Sequence, residues 1–302
     1  MCSLFKIHPC CHYYFGGAIF GCHAFLNKKY GARLKVILNR YSIRHIVSPS
    51  VLLETDQFIV KLAENEEETE KALRLRYEIF NLEQGKGLQE CSRSGMDSDE
   101  FDEFCLHLLV IEKETGKAIG TYRVHLGSIA NSARGFYSSR EYDIYGLREI
   151  ANYCMELGRS CVAPKYRTGA IVGLMWGGIG ELLNRTDLRF MLGCVSMEEL
   201  NPAAGWALYR YFQEKHLMSE ILTSRPRKVY ELEYPPEQEL QRLLSDEIAL
   251  KKHIPPLFKG YLRIGCRICG EPALDHEFKT IDFLIILDKQ KVPERYIRHF
   301  KS

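Results

Sequence analysis

The chain has 302 residues, 46% of them hydrophobic and 26% charged, with a formal net charge of +2. This is the composition of an ordinary globular protein, long enough to bury a core without staples. A charge so near neutral excludes a global argument for nucleic-acid binding, and 11 scattered cysteines, an odd number, point to a reducing cytoplasmic setting and not to a disulfide framework.

Residues 1–55 show no stable period and read as an N-terminal extension, poorly ordered or lying on a membrane surface. CHYYFGGAIFGCHAF is apolar but interrupted by His12 and His23, and it is shorter than the roughly 20 apolar residues of a spanning helix. It makes a poor signal peptide, because its n-region holds one lysine. His8, Cys10, Cys11, His12, Cys22 and His23 match no zinc spacing. GARLKVILNRYSIRHIV is basic with apolar residues between the charges; it reads either as a solvated linker or as a segment lying along an anionic membrane, which would place the protein peripheral to the inner membrane.

From Gln57 the chain becomes regular. QFIVKLA alternates like a strand. The acidic run Glu64–Glu70 opens a helix at the end where acids suit the dipole. Leu73, Arg76, Tyr77 and Phe80 share one face of that helix, so Arg76 stands on an apolar stripe and needs a partner or a cleft. Gly85 to Gly95 reads as a loop, followed by MDSDEFDEF with Asp97, Asp99 and Asp102. FCLHLLVIEK and AIGTYRVHL form a hairpin about TGK, with Arg123 on its second strand and His107 on the first as a core residue.

Ser128 to Leu147 reads as mostly irregular. CMELGRSCV is a strand with Glu156 and Arg159 at its end, APKYRTG a loop, and Ile171, Leu174, Met175, Ile179, Leu182 and Leu183 one face of a long helix. RFMLGCVSM is a strand, and Pro202 starts a helix at a permitted first-turn position. EQELQRLLSDEIALKK reads as one amphipathic helix, LRIGCRICG and KTIDFLIILDK as strands, and PERYIRHF as a terminal helix. Cys266-Arg-Ile-Cys269 is the only CxxC; without a second pair its cysteines read as small buried hydrophobes. The order defines a mixed α/β domain over 56–302, a central sheet flanked by helices.

A strand–loop–helix unit offers free N–H groups and a positive dipole end to phosphate, and Arg167 and Gly169 stand at that point. This order resembles the acyl-CoA site of the GNAT acyltransferase superfamily, although Ala170 and Val172 occupy the usual glycine positions of its phosphate loop. That departure fits the single phosphate of an acyl-carrier-protein (ACP) phosphopantetheine arm, expected along Cys161, Val162, Arg167 and Gly169.

Arg76, Asp97-x-Asp99-x-Phe101-Asp102, Arg123 and Glu156-x-x-Arg159 resemble the hallmark residues of acyl-homoserine-lactone synthases, but the tryptophan of those enzymes between the arginine and the acids is absent; the tryptophans here are Trp176 and Trp206. LRYEIF, DEFDEFCLHLLV, GTYRV, GFYSSREYD, ELGRSCVAPKYR, LMWGGI, GCVS, PPLFKGYLRIG and ALDHEF are more similar to the L-ornithine Nα-acyltransferases, the hemolysin-like ornithine-acyl-ACP enzymes, over about Gln57 to Phe300.

The resemblance implies a GNAT-like fold and transfer of a 3-hydroxyacyl group from ACP to the α-amine of ornithine, giving lyso-ornithine lipid. It implies no bound cofactor and no metal. Alternatives are transfer to glycine or tyrosine, homoserine-lactone synthesis, and a degenerate non-enzymatic acyl-ACP or membrane sensor. For the chemistry, Glu156 is the candidate base, and Arg159 with Arg123 would clamp the acceptor carboxylate. Asp97, Asp99 and Asp102 would either pair with the arginines, Arg76 included, or meet a cationic acceptor side chain.

Overall fold

The structure is a computed structural model that describes residues 48–87 and 89–297. The Cys/His-rich arm and most of the basic segment therefore lie outside the described residues, as does the end of the terminal helix. The strands are β1 (Val51–Glu54), β2 (Phe58–Leu62), β3 (Leu106–Glu112), β4 (Ala118–Leu126), β5 (Tyr142–Tyr145), β6 (Cys154–Val162), β7 (Phe190–Met197), β8 (Thr223–Pro226), β9 (Arg267–Ile268), β10 (Ala273–Asp275) and β11 (Thr280–Asp288). The longer helices are α1 (Glu66–Arg76), α2 (Gly169–Asn184), α3 (Pro202–Glu214), α4 (Glu237–Leu244) and α5 (Pro256–Ile264).

Nine strands form one mixed sheet in the order β1-β2-β3-β4-β6-β7-β11-β10, with β9 also on β11. Only β6 and β7 run parallel, and they pair over a short stretch, Cys154–Glu156 against Phe190–Leu192. Gly193 sits where they part: a Cβ there would lie 2.3 Å from the Leu157 carbonyl oxygen. Beyond that point β6 stays with β4 and β7 with β11, so a gap opens between the two central strands.

Sequence patterns account for the elements that flank this gap. Asn65 caps α1 by accepting from the Glu68 N–H, and acids fill the first turn. After Arg76 the helix widens into a π-helical stretch, Tyr77–Glu83, a form that often marks functional positions. On the opposite face α2 lies close to the sheet, because at Gly178 a Cβ would come within 2.6 Å of Val60. The main core, with Leu108, Val110, Tyr122, Val124, Met175 and Ile179, fills that side. Alternation on β4 then places Arg123 and His125 on the other face, where residues 127–147 cover the sheet.

Four readings from sequence need correction. The sheet starts at Val51, inside the stretch read as extension, because β1 pairs with β2. Residues 128–147 are not merely irregular: β5 pairs with β8, a partner too distant in sequence for a local pattern to reveal. The helix from Glu237 breaks at Ser245, since Asp246 accepts from the Ala249 N–H and caps a new turn. LRIGCRICG is not a strand throughout: Leu262 to Ile264 end α5, begun by Pro256 and closed by Gly265 at φ 106°, leaving only Arg267–Ile268 extended. Among the described residues no helix is long and apolar enough to cross a membrane.

Candidate active site

Arg76 points from α1 into a fully buried network. Its guanidinium donates to Asp97 at 2.8 and 2.6 Å and to Asp102 at 2.7 and 3.2 Å. Arg123 holds both oxygens of Asp99 at 2.7 Å. Arg159 reaches Asp99 at 3.3 Å and lies 3.5 Å from Asp97. The three aspartates are therefore paired by the three arginines, and the alternative in which they meet a cationic substrate is not the one this arrangement favours. Burial of Asp102 works to raise its pKa, but Arg76 and Arg123 outweigh that and hold the carboxyl well below the usual range. His107, on the same face of β3, is pushed down to about 4 by burial and stays neutral in the core.

Arg159 owes its position to a bulge. Between the pairs Arg123↔Gly158 and Thr121↔Cys161 the β6 strand carries one extra residue. Arg159 adopts φ +48° there, a left-handed conformation that costs energy in a non-glycine residue. Its guanidinium lies over the rings of Phe278, 4.4 Å away, and Tyr137, at 5.7 Å. The Nη1 atom is buried and has no hydrogen-bond partner.

Glu156 lies near the start of β6, not at its end, and pairs across the ladder with His125. One carboxylate oxygen accepts the Tyr137 N–H at 2.7 Å; the other accepts the Ser138 N–H at 2.7 Å and the Ser138 hydroxyl at 2.6 Å. Burial would raise its pKa, but the His125 imidazole, 3.8 Å away, and the Ser138 donors prevail and keep the carboxyl ionised below its ordinary range. Both ring nitrogens of His125 are buried without a hydrogen-bond partner.

Arg123, Arg159, His125 and Glu156, but not Arg76, Asp97, Asp99 or Asp102, line one cavity of about 380 Å³ that occupies the gap between β6 and β7, within the usual size range of ligand pockets. Arg159, His125 and Glu156 stand on its wall. So do residues that sequence patterns do not single out: Glu141 from the covering segment, Cys194 from β7, Asp275 from β10 and Asp282 from β11. Cross-strand register brings the last group together, with Asp282 opposite Ser196 and Leu284 opposite Cys194. A signal for one of them was present, since Asp282 interrupts the apolar run of KTIDFLIILDK.

A second cavity of about 210 Å³, lined by Cys161, Val162, Arg167 and Val172, shares Phe80, Tyr122, Ser160 and Leu257 with the first. It runs toward the N-terminus of α2, where Thr168 makes no side-chain cap and the first-turn N–H groups lack helical partners. Arg167 is not free at this mouth: it donates to both oxygens of Glu83 at 2.6 Å. Burial raises the Cys161 thiol to about 12, so it is a protonated wall residue.

A mixed sheet whose two parallel neighbours part beside a buried carboxylate, next to the start of a helix, defines a GNAT-type acyltransferase. Residues 75–177 match the acetyltransferase (GNAT) domain family. More narrowly, the chain belongs to the L-ornithine N(alpha)-acyltransferase family. It is 34% identical over 251 residues to the L-ornithine N(alpha)-acyltransferase of Agrobacterium fabrum, spanning 80% of this chain and 84% of that one. It is 32% identical to the enzyme of the same name from Brucella abortus, over 80% and 88% of the two chains. A solved CoA-dependent acyl-homoserine lactone synthase aligns with 80% of this chain and 95% of its own at 13% identity and a TM-score of 0.43, too remote to bear on function. The protein is an N-acyltransferase.

Proposed function

We propose that the enzyme transfers a 3-hydroxyacyl group from the phosphopantetheine thioester of acyl carrier protein to the α-amine of L-ornithine, giving lyso-ornithine lipid. The observation that carries this reading is the cavity between β6 and β7, whose wall holds Arg159, His125 and Glu156 together with Glu141, Asp275 and Asp282. The names of the relatives support ornithine as acceptor. The second cavity gives the donor arm a path, with the phosphate at the α2 N-terminus and the thioester reaching Glu156 past Ser160.

In this reading Arg159 takes the acceptor carboxylate with its spare N–H donors. The amine attacks the thioester carbonyl carbon. Its proton passes to the ionised Glu156, with the His125 imidazole beside it. Collapse of the tetrahedral adduct forms the amide and expels the pantetheine thiolate, which takes the proton from Glu156 and leaves as the thiol, restoring the carboxylate. Glycines are replaced by Ala170 and Val172 in the turn that would wrap a pyrophosphate, and this favours ACP over CoA. The test is incubation of purified protein with 3-hydroxyacyl-ACP and ornithine, with tandem mass spectrometry of the product. An amide at the α-nitrogen supports the reading; no product, or an acylated δ-nitrogen, contradicts it.

A further inference from the structure

With the three arginines matched by three aspartates, the cavity wall still holds three acids that no cation meets, Glu141, Asp275 and Asp282. Oxygen atoms of Glu141 and Asp282 and the sulfur of Cys194 lie within 4.8 Å of one another. Glu141 is 2% exposed and Asp282 3%. Asp282 has help from the Thr280 hydroxyl at 2.8 Å, and Asp275 accepts the N–H groups of Glu277 and Phe278. The Oε2 atom of Glu141 is buried, faces the cavity and has no partner. Among the described residues no lysine or arginine side-chain nitrogen lies within 4.0 Å of a carboxylate oxygen of Glu141, Asp275 or Asp282. Two buried carboxyls this close need a proton or a cation.

The wall of the same cavity offers complementary groups. Arg159 Nη1 is buried with no hydrogen-bond partner, 3.5 Å from Asp97, and neither ring nitrogen of His125, beside Glu156, has a hydrogen-bond partner. Ser138 stands between the two sets of groups, since its hydroxyl donates to Glu156 at 2.6 Å and lies 3.5 Å from the Cys194 sulfur. The cavity wall thus carries an anion receptor, a proton acceptor and a cation receptor, which suit the carboxylate, α-amine and side-chain ammonium of a diamino acid.

We infer that Glu141 and Asp282, with Cys194 beside them, form the subsite that receives the side-chain ammonium of a diamino acid acceptor. This rests on reading the cavity as the acceptor site, and it assigns acceptor selectivity to residues outside the arginine–aspartate network. Burial and the neighbouring acids raise Glu141 well above the carboxylate range and Asp282 to about 6. At neutral pH the subsite therefore holds a proton on Glu141, which an incoming ammonium replaces. A site built to pair a charge rejects the isostere that lacks it.

The test is calorimetric titration of the ligand-free protein with ornithine and with norvaline, its analogue lacking the δ-amine, for wild type, Glu141→Gln and Asp282→Asn. The wild type is expected to bind ornithine at least tenfold more tightly than norvaline. Each variant should lose at least tenfold in ornithine affinity, leave norvaline unchanged and, with like-charge repulsion relieved, melt no lower than wild type. Equal losses for both ligands, or unchanged ornithine binding, overturn the subsite. So does a Zn²⁺ or Mg²⁺ site that is lost in the variants while ornithine binding is not. Parallel acyl-transfer assays keep the two readings apart. Charge-dependent ornithine binding without transfer sinks the proposed reaction alone, and transfer to ornithine indifferent to Glu141 and Asp282 sinks the subsite alone.

Discussion

Ser138 gives both its backbone N–H and its hydroxyl to one oxygen of Glu156, at 2.7 and 2.6 Å, while the Tyr137 N–H takes the other. The carboxylate that faces the cavity is thus also what holds the covering segment on the sheet. Glu156→Gln has to turn an NH₂ toward one of those donors. The variant is expected to fold with stability lower by about 1–3 kcal/mol and to lose roughly 10²–10⁴-fold in kcat. Ser138→Ala removes one donor and should cost far less turnover. Unchanged kcat for Glu156→Gln with saturating acceptor at neutral pH would remove the base role.

Arg76 is the second structural pivot. Replacing it with Ala strands Asp97 and Asp102 as uncompensated buried charges. Breaking a buried pair in this way costs about 3–5 kcal/mol, and in a chain of this size the melting temperature should fall by roughly 10 °C. A melt within experimental error of wild type would show that the network relaxes or admits water.

Arg159 should separate acceptor from donor effects. Lys keeps the charge but loses the fork that faces both the aspartates and the cavity. Arg159→Lys is expected to raise the acceptor KM at least tenfold while the donor KM stays near wild type. Equal changes in both would make Arg159 a support for the Asp97–Asp102 loop alone.

The raised pKa of Asp282 has a signed consequence for stability. The folded carboxyl keeps its proton up to about pH 6, whereas the unfolded one loses it near pH 4. Between those values only the folded state holds the proton, so this group's contribution to stability falls as pH rises, then levels off above about 6. His107, pushed down to about 4, has the opposite slope over much of the same range, which is why the comparison must be with a variant. Asp282→Asn should match wild type in melting temperature near pH 4, gain on it through pH 6 and keep a constant advantage above. A pH-independent difference would contradict the shifted carboxyl.

Donor choice is tested at the mouth of the second cavity. Of the basic residues near α2, Arg167 is held by Glu83, and Arg185 by Glu181 and the carbonyls of Pro49 and Val51, which leaves Lys165 exposed for docking. Acyl-ACP should outperform acyl-CoA in kcat/KM, and its rate should fall with salt. Equal kcat/KM for the two donors would undo the argument from Ala170 and Val172.

Much of this was legible in the sequence because it is local. Strand β6 was read to the residue, and the acid-rich start of α1 and the hairpin β3–β4 follow from patterns within a few residues. The arginine–aspartate cluster was legible as a set, since an arginine on an apolar helix face has to find acids. Its internal closure was not, because whether Asp99 faces Arg123 or a substrate depends on the Arg159 bulge. Glu141 and Asp275 escaped notice for a related reason. Each is an ordinary acid in a polar stretch until the fold sets it beside Asp282: sheet register between β10 and β11 brings Asp275, and the covering segment, tied down by the Tyr142 hydroxyl on the Asp282 carbonyl, brings Glu141. The break after Ser245 turned on one Asp246 side chain bonding its own backbone.

The most direct measurement is a competition assay with 3-hydroxyacyl-ACP and equal concentrations of ornithine, norvaline, glycine and tyrosine, with products resolved by mass. The account predicts that Nα-acylornithine dominates and that Glu141→Gln erases its advantage over norvaline. Faster acylation of glycine or tyrosine than of ornithine would contradict it.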